Sequence, residues 1–121
     1  MRVLTAMAAF LAVLLFAAPA QAAAGTIAVN GPAVFGQSVT FATSVSGKVP
    51  RGGWVAVQVG CVAGGRIVYA TGGAPDAVFP LVSGTTAYPW DGSPAACQAD
   101  LRVIDRKGIA TLLARTEFTT T

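Results

Sequence analysis

Cys61 and Cys97 are the two cysteines of a 121-residue chain that contains no histidine. A pair of thiols can act as nucleophile, metal ligand or disulfide. A nucleophilic thiol needs a basic neighbour that holds it as thiolate, usually histidine. Zinc needs four ligands drawn from cysteine, histidine and carboxylate. Without histidine both chemistries lose their customary partner, and a Cys61–Cys97 disulfide is what the pair supports in an oxidising compartment. No metal site and no cofactor is expected. Asp76, Asp91, Asp100, Asp105 and Glu117 are scattered along the chain, whereas acid–base catalysis recruits histidine or paired carboxylates with shifted pKa values. "SGKV" at 46–49 is not a phosphate loop, because Ala42 stands where its first glycine belongs and Val49 where Ser or Thr is required. The chain reads as non-catalytic.

The compartment follows from the N-terminus. One positive charge, Arg2, precedes an apolar run from Val3 to Ala18, then Pro19 and the small-residue patterns Ala20-Gln21-Ala22 and Ala22-Ala23-Ala24. This layout predicts a secretory signal peptide over residues 1–24, cut after Ala22 or Ala24, and a secreted mature chain. The run is too short for a spanning helix, which needs about 20 apolar residues, so the mature form is not expected to span a membrane. Residues 25–121 are one domain's length, about 100 residues, enough for a modest core. With Arg2 gone, seven cations face five acids. So small a surplus does not point to nucleic acid, and any electrostatic effect must come from clustering.

The elements that would position these residues are strands. Short alternating runs rich in Val, Ile, Thr and Phe, separated by Gly, Pro, Asp and Ser, predict about seven strands and no helix. In "TIAVNGP" Ile27 and Val29 share a face. In "QSVTFATSVSG" Val39, Phe41, Thr43 and Val45 oppose Ser38, Thr40, Ala42, Ser44 and Ser46. Pro80 marks "AVFPLV" as an edge or bulge. In "IATLLARTEF" the inner face cannot be assigned, because Leu112 and Leu113 point opposite ways. The terminal threonines read as a frayed tail.

The cysteines fix a register. If segments 54–61 and 97–105 pair antiparallel with Cys61 opposite Cys97, then Val59 meets Ala99, Val57 meets Leu101 and Val55 meets Val103. The other face pairs Gln58 with Asp100, Ala56 with Arg102 and Trp54 with Ile104. A slip of one residue would spoil both faces, so bridge and hydrophobic pattern support each other.

An all-β pattern of this spacing, with one disulfide, resembles the immunoglobulin-like antiparallel β-sandwiches of secreted bacterial proteins and some phage proteins. The antibody pattern differs: there the bridge joins the two sheets, and here both cysteines fall on neighbouring strands. "SPAACQADLRVIDRKG" (93–108), with "VGCVAGG" (59–65), resembles the apo-chromoproteins of actinomycetes, small immunoglobulin-like proteins that hold a reactive enediyne beside the sheet. That likeness implies a small-molecule carrier.

Two candidate surfaces follow from a sandwich layout, in which the loops before strand C and after strand F share one end. "SGKVPRGG" and "DRKG" bring together Lys48, Arg51, Arg106 and Lys107 beside Trp54. Such a tip suits an anionic envelope polymer, a phosphate-bearing glycan or a protein partner's acidic patch, unless it is simply a solvated hairpin end. At the other end Tyr88, Trp90 and Asp91 precede Cys97. Aromatic rings beside a carboxylate suit a sugar or a protein hot spot, unless Trp90 turns inward and plugs the sandwich. The expectation is a secreted, non-catalytic binding or structural module at or outside the cell envelope, with the carrier as alternative.

Overall fold

A computed structural model describes residues 22–84 and 88–121. Eight antiparallel strands and no helix make up these residues: β1 (Ala24–Val29), β2 (Ser38–Val39), β3 (Phe41–Ser46), β4 (Trp54–Ala63), β5 (Arg66–Gly73), β6 (Phe79–Pro80), β7 (Ala96–Ile104) and β8 (Ala110–Thr119). The signal-peptide reading lies outside the described residues up to Gln21. From there the chain is placed: Ala22 bridges Lys48, and Ala24 opens β1 opposite Ser46. A cut after Ala22 therefore leaves β1 whole, and a cut after Ala24 removes its first residue.

One layer is a four-stranded sheet in the order β5-β4-β7-β8. The other is assembled from the pairs β1–β3 and β2–β6. Only Thr40 separates β2 from β3, so the stretch expected as one strand counts as two, and β6 is the short edge that Pro80 foretold.

The register between β4 and β7 is the one the sequence predicts at every position, from Trp54 opposite Ile104 to Cys61 opposite Cys97. The disulfide closes this ladder within a single sheet. Alternation sends Val57, Val59, Cys61, Cys97, Ala99, Leu101 and Val103 inward, where all are buried. All but Val103 join Val39, Phe41, Phe79 and Leu81 in one contiguous core. Each Val or Leu so buried contributes about 1.5–3 kcal/mol through area removed from water. Aromatic rings fill the ends of this core: Phe41 meets Phe79 and Phe118 at centroid separations of 5.7 and 5.8 Å. Val45, at the open end of β3, and Thr111, opposite Val103, occupy inward positions and are nevertheless exposed.

Two features depart from the sequence reading. A bulge shifts the β7–β8 register between Leu101 and Arg102, pairing Leu101 with Ala114 and Arg102 with Leu112. Leu113 is the extra residue, so adjacent Leu112 and Leu113 need not obey one alternation. The threonine end is not frayed. Thr120 Oγ1 accepts a hydrogen bond from the Ala95 amide at 2.9 Å, and the Thr120 amide donates to the Ala95 carbonyl at 3.0 Å. The Phe35 amide donates to the Thr121 carbonyl at 3.0 Å. Satisfied backbone, not position in the chain, holds this terminus.

Candidate functional site

The basic end is built by two turns that each put cations at their corners. In the first, the Gly53 amide donates to the Pro50 carbonyl at 2.9 Å, with Arg51 and Gly52 between them. Gly52 has φ +78°, the conformation a type II turn requires at its third residue. In the second, the Gly108 amide donates to the Asp105 carbonyl at 2.9 Å, leaving Arg106 and Lys107 at the tip. Asp105 Oδ1 accepts from the Lys107 and Ile109 amides at 2.8 and 2.9 Å, so this carboxylate shapes its own loop.

The two turns touch. A side chain at Gly52 would meet Arg106 Cβ at 3.3 Å. Lys48, Arg51, Arg106 and Lys107 are all exposed, and Trp54, the first residue of β4, is 52% exposed. The structure thus sets the turn of Arg51 against that of Arg106 and Lys107, with Trp54 opposite Ile104 beside them and Lys48 bridged to Ala22.

The aromatic end does not form as one surface. Trp90 is only 4% exposed. Its ring packs edge-on against Phe35 at 4.8 Å and lies 5.8 Å from Tyr69, while its Nε1 donates to the Ser93 carbonyl at 3.0 Å. Trp90 is a plug in the core, because a buried indole satisfied by a nearby carbonyl is stable there. Tyr88 and Asp91 remain exposed. The Ser93 amide donates to Asp91 Oδ1 at 2.9 Å, and this hydrogen bond holds the Asp91 carboxyl below its usual range.

Sequence reasoning missed the outer face of the four-stranded sheet. Two adjoining hollows of about 810 and 400 Å³ share Gly60, Ala70 and Gln98. Gly60 and Ala70 are directly paired, as are Gln58 and Gly72, so outward positions with little or no side chain make the floor. Glycines at alternating outward positions of β4 and β5 were the available signal.

Beside the smaller hollow lies a charged cluster. Asp100, opposite Gln58 on the outward face of β7, is nevertheless only 3% exposed. It accepts from Arg115 Nε at 2.6 Å and Nη2 at 2.9 Å, and from Arg102 Nη2 at 2.8 Å. The Arg115 hydrogen bonds, followed by those of Arg102, hold the Asp100 carboxyl below the usual carboxylate range against the opposing effect of burial. Arg102 Nε is buried without a hydrogen-bond partner. Desolvation raises the Tyr69 phenol on the inner face, so it stays neutral.

Among the described residues no three His, Cys, Asp or Glu side chains gather as a metal site, and no helix is long and apolar enough to cross a membrane. Comparison with protein-family models, curated proteins and solved structures finds no match for the chain.

Proposed function

We propose that this chain is a secreted, non-catalytic binding module of the immunoglobulin-like sandwich type, acting at or outside the cell envelope through its basic end. One observation carries the reading: the turn bearing Arg51 abuts the turn bearing Arg106 and Lys107, and the exposed Trp54 begins β4 just beyond the first of them. Clustered cations concentrate an anionic partner, and an adjacent aromatic ring supplies contact area at little entropic cost. The sheet order β5-β4-β7-β8 against β1, β2, β3 and β6 supports the immunoglobulin-like assignment. The leader-like N-terminus and the disulfide support export. The test is retention of the exported protein on an immobilised anionic polymer at moderate salt. Retention that disappears in Arg51→Gln/Arg106→Gln supports the reading, and equal elution of both proteins overturns it.

The hollow of about 810 Å³ on the outer sheet face favours the second reading, a small-molecule carrier. The unsatisfied Arg102 Nε beside the adjoining hollow offers a donor to such a ligand. A native mass spectrum of protein from culture supernatant separates the two: a discrete small-molecule adduct selects the carrier, and a bare mass selects the module.

A further inference from the structure

Beyond its cations, the basic end carries an apolar rim that a sugar polymer or acidic peptide does not explain. Trp54 pairs with Ile104 across the β4–β7 ladder, and Ile104 pairs with Ala110 on β8. Ile109 stands just before Ala110 at the loop tip and is 62% exposed. Leu112, opposite Arg102, is exposed as well. Trp54, Ile109 and Leu112 therefore lie at the same end of the molecule as the four cations. Exposed apolar side chains gathered beside polar and charged ones mark a protein or membrane interaction site. Asp105 is the one acid on the two turns, and its carboxylate is engaged by the loop's own amides.

The chain also enters the described structure at this end, where Ala22 bridges Lys48. Four exposed cations there, Lys48, Arg51, Arg106 and Lys107, are complementary to an anionic surface. Glu117, paired with Gln98 beside Cys97, lies at the opposite end of the sheet.

We propose that this end docks on an anionic phospholipid surface, with Trp54, Ile109 and Leu112 entering the headgroup region and Lys48, Arg51, Arg106 and Lys107 meeting the phosphates. The inference rests on the binding-module reading and names its partner. Trp and aliphatic side chains flanked by Lys and Arg are the composition of interfacial anchors. Each cation near an anionic leaflet contributes roughly a fivefold factor in partitioning, and salt screens it.

The experiment uses the chain produced with its own N-terminus in an exporting host, in whatever form it matures. Partitioning is measured on vesicles of phosphatidylcholine and of a phosphatidylcholine–phosphatidylglycerol mixture, some carrying brominated acyl chains. Trp54 and Trp90 are the two tryptophans, and Trp90 is buried, so quenching by bromine reports on Trp54. Binding is expected only with phosphatidylglycerol, with quenching that Trp54→Phe abolishes. Arg106→Gln/Lys107→Gln should weaken it by roughly 25-fold, and Ile109→Ser/Leu112→Ser should weaken it at unchanged charge. Equal partitioning into neutral vesicles, or bound protein whose Trp54 is not quenched, overturns the proposal. Soluble dextran sulfate separates its failure from that of the broader reading. If dextran sulfate binds, Ile109→Ser/Leu112→Ser leaves that affinity intact, and anionic vesicles bind nothing, the lipid inference falls and the binding module stands. If neither probe binds, both fall.

Discussion

The Arg115 guanidinium lies across the β7–β8 ladder from Asp100, with Nε 2.6 Å and Nη2 2.9 Å from its two carboxylate oxygens. Arg102 closes on the same carboxylate from two residues along β7. One buried anion thus organises two arginines on the sheet face that also carries Gly60, Ala70 and Gly72. Its charge is compensated, and the hydrogen bond from Arg115 in turn raises that guanidinium's already high pKa. Substituting Asp100→Ala leaves two cations adjacent and unpaired. The loss is expected to be about 1–2 kcal/mol, kept modest because both arginines reach solvent. Urea unfolding at neutral pH measures it.

The same pair gives the protein an acid sensitivity. The Asp100 carboxyl is depressed in the folded state, so its stabilising effect is fully present above the unfolded value of about 3.9 and fades as pH falls below that. Thermal melts of the wild type and Asp100→Asn should differ at pH 7 and converge as the pH drops through and below about 4. A gap that stays constant down to pH 2 would mean that the carboxylate charge contributes nothing.

Why was this cluster invisible in the sequence while the β4–β7 register was not? The register was over-determined: Cys61 and Cys97 fixed one pair, and three inward and three outward pairs had to agree with it. Asp100 needed information from β8, whose phase breaks at Leu113. The bulge between Leu101 and Arg102 changes which residues of β8 face outward, and no local alternation rule locates such a bulge. Trp90 was ambiguous for a related reason, since Phe35 and Tyr69, which enclose it, come from distant segments. The turns Pro50–Gly53 and Asp105–Gly108 were legible because their proline and glycines specify them locally.

The chain's last residues supply a test of hydrogen-bond satisfaction. Thr120 is buried, and its hydroxyl is the acceptor for the Ala95 amide. Thr120→Val keeps the shape and removes that acceptor, leaving a buried N–H unsatisfied at a cost of about 1–3 kcal/mol. Hydrogen exchange at Ala95 should accelerate in the variant. Unchanged exchange together with unchanged stability would return residues 119–121 to the status of a loose end.

The disulfide joins residues 36 apart. In the chain-entropy account, closing a loop of that length stabilises the fold by about 3–4 kcal/mol, through restriction of the unfolded chain. Cys61→Ala/Cys97→Ala should therefore lower the unfolding free energy by that amount and steepen the urea dependence, because a chain freed of its crosslink exposes more surface. A loss under 1 kcal/mol would show that the two complementary faces of the β4–β7 ladder hold it without the bridge.

Two glycines on opposite sides of the structure make the last comparison. Gly25 lies where β1 crosses the four-stranded sheet. A methyl group there would stand 2.8 Å from Leu101 Cδ2 and 2.9 Å from the Ser44 carbonyl oxygen. Leu101 is fully buried and the Ser44 oxygen is backbone, so neither yields easily, and Gly25→Ala is expected to cost about 1–3 kcal/mol by overpacking. At Gly60 the nearest atom to such a methyl is the Tyr69 oxygen at 4.0 Å, and the position opens onto both outer hollows. Gly60→Val should leave stability equal or slightly raised, since a β-branched residue suits a strand interior better than glycine. It would also fill the floor on which a carried molecule would rest. If the native mass spectrum of the wild type shows an adduct, Gly60→Val should remove it while the protein remains folded. An adduct that survives this substitution would place the ligand somewhere other than the outer face of the sheet.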